Sequence, residues 1–311
     1  MRALGFLGAH VTAALAGGVF LGLLWPALAA LFAPLLVPAV FVLLVATLLR
    51  LDWRAVAARA AAPGRTLAML LWLALGTSTI TFALLTALDA PVALVTAMVL
   101  AAASAPIVSS VPLAMLLGLD GALAVVAVVV TMVLLPLYLP PLALSLLGLQ
   151  LDLGLRAFMA RLGALIGGAL AVALVVRWRL PARRLAAAGQ VIDGIVVAML
   201  IVFAIAIMDG VTAALFARPG VVLLYVGASF AANLGMQALG TLAFLRLGRV
   251  AALTCGLVSG NRNMAILLAV MAGHADFDVT LYFAVGQLPI YLLPMLLHPV
   301  YRRFAARGGR V

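Results

Sequence analysis

The chain has 311 residues, of which 68% are hydrophobic and only 9% are charged, and long apolar runs recur from end to end. A soluble core does not require so much apolar sequence, so this composition excludes a soluble globular protein and indicates several membrane spans. The net charge of +11 comes from nineteen arginines and eight aspartates spread over short loops, which argues against a nucleic-acid-binding face.

The spans are predicted to be α-helices. Leu, Ala and Val fill whole segments without the two-residue alternation of a membrane β-barrel, and a helix satisfies its own backbone in lipid. The first apolar run is about as long as a bilayer span, so we expect it to be retained. Breaks at charged residues, proline and glycine predict ten spans, at about 4–24, 28–49, 67–88, 92–117, 121–147, 156–176, 190–209, 220–245, 250–272 and 279–299.

The loop arginines orient these spans. Fifteen of the nineteen arginines fall on one side of the predicted membrane, in the groups Arg2; Arg50, Arg54, Arg59, Arg65; Arg177, Arg179, Arg183, Arg184; Arg246, Arg249; and Arg302, Arg303, Arg307, Arg310. An excess of arginine marks the cytoplasmic side. We therefore expect a multi-pass protein of the cell (inner) membrane with both termini in the cytoplasm.

Ten spans divide into two sets of five, which would lie in the membrane with opposite orientation. Inverted repeats of this kind are common in secondary transporters, so we predict a single transporter domain with repeat one at about 1–150 and repeat two at about 151–311. The fourth span of each set is interrupted by polar and helix-breaking residues: "ASAPIVSSVP" at 103–112 and "SGNRN" at 259–263. Two breaks in corresponding positions indicate a solute site near the bilayer centre.

Four segments together give the chain a family resemblance. They are "LLVPAVFVLLVATLLRLDWRAV" (35–56), "SAPIVSSVPLAMLLGLDGALAVVAVVVTMVLLPLYLPPL" (104–142), "ANLGMQALG" (232–240) and "SGNRNMAILLAV" (259–270). In order and spacing they resemble the bile acid:sodium symporter superfamily. The resemblance implies ten helices in two inverted repeats, with helices 4 and 9 broken and crossing near the substrate.

The departures from the family's pattern concern sodium. In the sodium-coupled members, oxygens from spans 4, 5 and 9 bind two sodium ions, and the resemblance places degenerate versions of these sites near Ser110, Gly260 and Asn263. The corresponding acidic, amide and hydroxyl positions are here occupied by Val258, Arg262, Val111, Ala124 and Val128. Hard cations need several oxygen ligands, so we expect no metal site beyond these degenerate ones and no cofactor. Transport should depend little on sodium.

Arg262 is the most unusual residue of the chain. An arginine at mid-membrane costs roughly 2.5–3.5 kcal/mol on insertion scales, so it should face protein or water and have a partner. The chain has no Glu, and every Asp lies in a loop or near a span end. Two interpretations are open: Arg262 donates to backbone carbonyls exposed by the break in span 4, or its guanidinium meets an anionic group of the solute.

The other candidate site residues are polar side chains near the same depth. Asn261, Asn263, Ser109 and Ser110 lie at the two breaks. Asn233 and Gln237 share one face of span 8 and either line the cavity or bond between helices. The "TSTIT" run at 77–81 either bonds back to its own helix or contacts the solute.

Small residues and the single cysteine give secondary predictions. The Gly18-x-x-x-Gly22 and Gly163-x-x-x-Gly167 pairs predict close helix contacts. Because Cys255 is the single cysteine, no disulfide can form within the chain.

A secondary transporter of a small organic anion, working by alternating access, is the predicted function. Spans 4 and 9 would form the crossover between a panel and a core domain, and the partners would be the anionic solute and the lipid bilayer. The alternative is a non-transporting receptor or sensor on the same fold, or a transporter of another solute class. No nucleophile–base–acid set, metal-ligand cluster or phosphate loop is visible, so an enzyme is not expected.

Overall fold

A computed structural model describes residues 17–51, 53, 63–148 and 154–306. Within these ranges the regular elements are all helical, and the single extended contact is an isolated bridge between Pro106 and Arg262. The all-α prediction is therefore confirmed for this part of the chain. The first sixteen residues of the chain and the loop arginines Arg54, Arg59, Arg307 and Arg310 lie outside the described residues.

The helices follow one another with short connections. The first half contains α1 (17–24), α2 (Pro26–Phe32), α3 (Leu36–Arg50), α4 (Pro63–Leu71), α5 (Thr77–Ala87), α6 (Val92–Ala103), α7 (Ser110–Leu116) and α8 (Gly121–Leu147). The second half contains α9 (Leu155–Arg179), α10 (Ala182–Ala187), α11 (Gly189–Ala206), α12 (Val211–Ala217), α13 (Pro219–Ala243), α14 (Arg249–Gly260), α15 (Met264–Met271), α16 (Phe277–Val285) and α17 (Gln287–Ala306). A 3-10 turn over Ala33–Leu35 joins α2 to α3, and a π-helical turn over Trp72–Gly76 joins α4 to α5.

Seven helical segments in the described ranges are long and apolar enough to cross a membrane. They are Pro26–Arg50, Thr66–Ala87, Gly121–Leu147, Leu155–Arg179, Gly189–Ala217, Pro219–Ala243 and Phe277–Pro294. Large apolar side chains are left exposed along them, including Leu31 at 70%, Trp178 at 80% and Phe216 at 83%. Water would penalise such a surface and lipid would not, so the described chain has the build of an all-α integral membrane protein.

The helices pack into two compact units, and each unit draws on both halves of the chain. The first comprises the described part of Met1–Leu51 with Arg161–Val222 and Leu268–Ala272. The second comprises the described parts of Asp52–Ala160 and Gly273–Val311 with Leu223–Leu267. All the contacts described below lie within one unit or the other.

Helix α1 packs closely on α11 in the first unit, through the first of the two predicted glycine pairs. A Cβ on Gly18 would lie 2.7 Å from the Cβ of Ala204, and a Cβ on Gly22 would lie 2.8 Å from the carbonyl oxygen of Ile205. This predicted close contact is confirmed. The prediction for Gly163 and Gly167 is not confirmed, because a Cβ at either position would meet nothing within 4 Å among the described residues. Small residues permit a close approach without requiring one.

The ends of α3, α9 and α11 are joined by arginines in the first unit. Arg50 forms an ion pair with Asp193 and donates from Nη2 to the carbonyl oxygen of Gly189, 2.6 Å away. Arg177 donates to the carbonyl oxygens of Leu49 at 2.9 Å and Leu51 at 3.1 Å. These bonds satisfy carbonyl groups at and just beyond the C-terminus of α3, which the helix itself leaves free.

An apolar cluster forms the base of the second unit. It brings residues of α4, α7, α8 and α14 together, with Leu73, Ala114, Ala124, Leu257 and Val258 each at most 1% exposed. The N-terminus of α8 is capped by the Asp120 carboxylate, which accepts from the backbone N–H of Leu123 at 2.9 Å. Above this cluster the polar residues of the second unit come together.

Candidate functional site

Both predicted helix breaks are present at the predicted residues. Helix α6 ends at Ala103 and α7 begins at Ser110, while α14 ends at Gly260 and α15 begins at Met264. Pro106 has no N–H to continue α6, and Ser104 turns the chain to an extended conformation with ψ of 162°. Asn261 is likewise extended, with φ of −93° and ψ of 91°. Local sequence chemistry is therefore sufficient to interrupt both helices.

The two breaks meet and pair with each other. The N–H of Ile107 donates to the carbonyl oxygen of Asn261 at 2.8 Å, and the N–H of Asn263 donates to the carbonyl oxygen of Ala105 at 2.8 Å. These two bonds make the antiparallel bridge between Pro106 and Arg262. We call residues 104–109 and 261–263 the crossing. Backbone groups released by one broken helix are thus satisfied by the other, as buried polar groups require.

Arg262 lies at the centre of the crossing and is only 3% exposed. Its Nε donates to the carbonyl oxygen of Ser259 at 2.9 Å, and its Nη1 donates to those of Ser104 at 2.8 Å and Leu73 at 3.2 Å. Its Nη2 donates to the hydroxyl of Thr77 at 2.8 Å. The bond to Ser104 is the one predicted if Arg262 serves carbonyls freed by the break in span 4. Every one of these partners is electrically neutral.

The carbonyl of Leu73 is available because of the π-helical turn at Trp72–Gly76. Such a turn shifts the hydrogen-bond register by one residue and often accompanies a functional site. Gly76 lets the turn close on Trp72, since a Cβ there would lie 2.9 Å from the indole ring. The Trp72 indole N–H in turn donates to the Ser259 hydroxyl at 2.9 Å. Sequence reasoning predicted an uninterrupted span here, and Gly76 is the one local signal of the turn.

The hydroxyls of the "TSTIT" run bond to helix carbonyls, which confirms the interpretation that they bond back. Ser78 donates to the carbonyl oxygen of Leu75 at 3.0 Å, and Thr81 donates to that of Thr77 at 2.7 Å. Thr77 does more, because its hydroxyl donates to the carbonyl oxygen of Ala102 at 2.8 Å while accepting from Arg262. Thr77 therefore ties α5 to the end of α6 and to the guanidinium.

A second polar chain connects α13 with the crossing. Asn233 donates from Nδ2 to the carbonyl oxygen of Gly260 at 2.9 Å and to Oδ1 of Asn261 at 3.3 Å. Gln237 donates to Oδ1 of Asn233, and the Tyr301 hydroxyl donates to Oε1 of Gln237. The prediction that Asn233 and Gln237 bond between helices is confirmed. Tyr301, which the sequence did not single out, extends this chain to α17.

The remaining predicted residues at the breaks have different environments. Asn261 is 1% exposed and donates to the carbonyl oxygen of Leu257 at 2.9 Å, and Asn263 is 7% exposed. Ser109 is exposed, whereas Ser110 is completely buried and its hydroxyl has no hydrogen-bond partner among the described residues. The crossing therefore brings Asn261, Asn263 and Arg262 together in the interior. Ser109, at its edge, is exposed.

A small cavity of about 30 Å³ lies beside Arg262. Its polar lining comes from Thr81, Ser229, Asn233, Ser259, Arg262 and Tyr282, and its largest apolar contributors are Met98, Met236 and Met264. Of the predicted site residues, Arg262 and Asn233 line it. A volume of this size accommodates one or two water molecules, so an organic solute requires the cavity to widen.

Three of the positions that the resemblance assigns to sodium ligands are packed in apolar surroundings, whereas Arg262 is bonded to carbonyl oxygens. Val258 and Ala124 belong to the apolar cluster at the base of the second unit, and Val111 packs against it. No group of three or more His, Cys, Asp or Glu side chains suited to a metal ion occurs in the described part of the chain.

Neither a protein-family model nor a curated protein matches the chain. The function is therefore inferred from the geometry of the crossing and from the residues that form it.

Proposed function

We propose that the protein is a secondary transporter of a small organic anion that works by alternating access, on the plan of the bile acid:sodium symporter superfamily. One observation carries the proposal: two helices interrupted at mid-length pair through their breaks around a buried arginine. Irregular backbone at membrane depth is tolerated where it is buried or lines a cavity, and transporters build solute sites from such discontinuous helices.

The proposed topology is ten spans in two inverted repeats of about 1–150 and 151–311. The seven long apolar segments account for seven spans, and the two interrupted pairs, α6 with α7 and α14 with α15, supply the fourth and the ninth. Helix α1 covers the described part of the first span. The interrupted pairs hold the same position within each set of five, which supports repeats of opposite orientation.

The division of the chain into two units supports a panel and a core. The first unit contains the helices of spans 1, 2, 6 and 7, and the second contains those of spans 3, 4, 5, 8 and 10 together with the crossing. Each unit thus combines equivalent helices of the two proposed repeats. Alternating access needs two such bodies that can move as wholes.

The positive charge of Arg262 supports an anionic solute. Its described partners are neutral, so the guanidinium keeps a full charge to offer. Met98, Met236 and Met264 line the adjoining cavity, and their flexible side chains can rearrange to widen it. In the widened state a carboxylate of the solute would bond to the guanidinium.

Uptake by the purified protein in liposomes tests the proposal. A mixture of small organic acids is offered outside, and the lumen is analysed by mass spectrometry for the acids that accumulate. We expect one chemical class to accumulate with the wild type and to be lost in Arg262→Gln. The matched control is Arg246→Gln, which removes an exposed arginine of the 3-10 turn at Leu245–Leu247. Saturable binding without uptake would instead favour a receptor or sensor, and neither binding nor uptake would refute the proposal.

A further inference from the structure

The cavity beside Arg262 has few hydrogen-bond donors that are not already in use. The hydroxyl of Thr81 donates to the carbonyl oxygen of Thr77, and that of Ser229 donates to the carbonyl oxygen of Val226 at 2.8 Å. Both N–H bonds of the Asn233 amide are also taken, by Gly260 and Asn261. These polar groups complete the protein's own structure.

Two donors remain. A guanidinium carries five N–H bonds, and four of those of Arg262 are donated to Ser259, Leu73, Ser104 and Thr77. The fifth, on Nη2, has no partner among the described residues. The hydroxyl of Tyr282 likewise has no hydrogen-bond partner among the described residues. Tyr282 lines the cavity, is 2% exposed and makes ring contacts with Tyr225 and Phe283. The residues that line the cavity thus include one charged and one neutral group with an unused donor.

The charge and size of the cavity restrict what can occupy it. The guanidinium repels a cation, and it is buried without an acidic partner in the described part of the chain. A buried charge is stabilised by a counter-charge, so an anion is favoured over a neutral molecule. The volume of about 30 Å³ accommodates one or two water molecules, which suits a small ion and excludes an organic anion in this conformation.

We propose that this cavity is a binding site for a single halide ion, with chloride as the physiological ligand. The halide accepts from the free Nη2–H of Arg262 and from the hydroxyl of Tyr282, and it neutralises the buried charge of the crossing. Thr81 and Ser229 bound the site with hydroxyls that can rotate toward the ion. This site goes beyond the proposed transport of an organic anion and does not depend on it.

Halide-dependent stability of the purified protein tests the site. Thermal unfolding is followed in potassium gluconate with increasing potassium chloride or bromide at constant ionic strength. We expect the unfolding temperature to rise and saturate with either halide in the wild type. Tyr282→Phe keeps the ring and removes the hydroxyl, so the halide affinity should fall roughly threefold to tenfold, as for one neutral hydrogen bond. Tyr291→Phe is the matched control, since Tyr291 bonds to Gln287 and does not line the cavity.

Removal of the charge gives the sharper result. Arg262→Gln should abolish the halide effect or weaken the affinity by at least about tenfold, whereas Arg246→Gln should leave it unchanged. Should Arg262→Gln fail to fold, binding of radioactive chloride to wild type and Tyr282→Phe decides the matter. The proposal would be overturned if the unfolding temperature did not depend on halide, or if wild type and Tyr282→Phe bound chloride equally. Water would then be the occupant of the cavity.

The liposome assay keeps this inference separate from the proposed function. Halide binding that persists in a protein without organic-anion uptake would leave the site standing and refute the transporter. Uptake of an organic anion without any halide effect would support the transporter and refute the halide site.

Discussion

Arg262 replaces the intrahelical hydrogen bonds that three irregular helices have lost. Carbonyl groups from the π-helical turn, from the end of α6 and from the end of α14 converge on its guanidinium. Carbonyls brought together in this way repel one another, and a delocalised cation with donors in one plane satisfies them together. The structure therefore supports the interpretation of Arg262 as an internal cation, and contact with a solute would be an additional role.

Arg262→Gln is expected to destabilise the protein in the absence of any solute. A glutamine amide has two N–H donors for the three carbonyls that Arg262 serves, so at least one of these carbonyls loses a hydrogen bond, which costs about 1–3 kcal/mol in the free energy of unfolding. Thermal unfolding in detergent measures the effect, with Arg246→Gln as the exposed control. The thermal stability of Arg262→Lys should lie between those of Arg262→Gln and Arg246→Gln, because lysine keeps the charge and loses the planar fork.

The vacated position gives this prediction a second test. The carbonyl oxygens of Leu73, Ser104 and Ser259 and the hydroxyl of Thr77 would surround it, and oxygen ligands of this kind suit a hard cation. Sodium should therefore restore part of the lost stability in Arg262→Gln and do nothing for the wild type. An Arg262→Gln protein as stable as the wild type would show that the guanidinium does not hold the crossing together.

The sequence was informative about Arg262 and uninformative about its partners. Burial of an unpaired charge in lipid is expensive, so a role at a polar break followed from composition and position alone. The bonds to Leu73 and Thr77 were not predictable, because the register of the π-helical turn depends on what packs against Trp72 and Gly76. In the same way, Tyr301 is distant in the sequence from Gln237 and no local pattern joins them.

Close packing of two helices is the main feature at the scale of elements. Helices α13 and α14 approach each other through Gly240, Gly256 and Gly260. A Cβ on Gly260 would lie 2.5 Å from the carbonyl oxygen of Asn233 and 2.5 Å from Cγ of Gln237. This approach lets Asn233 reach the crossing from the neighbouring helix.

Gly260→Ala should separate the two helices and destabilise the protein. The backbone oxygen of Asn233 cannot move aside as a flexible side chain would, so overpacking is expected to cost about 1–3 kcal/mol in the free energy of unfolding. Gly235→Ala on α13 is the control, because a Cβ there would meet nothing within 4 Å and alanine favours the helix. Unfolding midpoints of the two variants in the same detergent make the comparison, and equal midpoints would contradict the packing argument.

Interrupted helices were predictable at this scale, and close helix pairs were predictable only in part. Pro106 and the pair Gly260 with Asn261 act on their own backbone, so their effect is visible in the local sequence. A glycine pair permits contact without specifying a partner, which is why Gly18 with Gly22 packs against α11 whereas a Cβ at Gly163 or Gly167 would meet no described residue within 4 Å.

At the scale of the whole molecule, the sequence predicts two consecutive repeats. In the structure, by contrast, each of the two packed units contains helices from both halves of the chain. Hydrophobic periodicity identifies a span and the face that is buried, but it does not name the distant helix that covers that face. The two descriptions are compatible, since equivalent helices of two repeats can join the same unit.

The proposed transport is expected to be independent of a sodium gradient. Val258 and Ala124, at positions where the resemblance implies oxygen ligands, are buried in the apolar cluster, and Val111 packs against it. Without oxygens a hard cation does not give up its water. Uptake into liposomes should therefore be equal when external potassium replaces sodium. A strict requirement for sodium, with saturable sodium binding in the absence of solute, would contradict this expectation.

The distribution of arginines predicts an orientation of the chain in the membrane. Fifteen of the nineteen lie on one predicted side, and because arginine is retained in the cytoplasm, we expect both termini and α10 to be cytoplasmic.

Single cysteines at Arg184→Cys and Arg218→Cys, both exposed positions, would be placed in a Cys255→Ala background, since Cys255 is buried and free. A membrane-impermeant maleimide applied to intact cells with a permeable outer envelope should label the cysteine at 218. It should reach the cysteine at 184 only after the membrane is opened. Labelling of the cysteine at 184 alone in intact cells would reverse the orientation. Labelling of both would mean an even number of spans between them, whereas the ten-span topology places one span there.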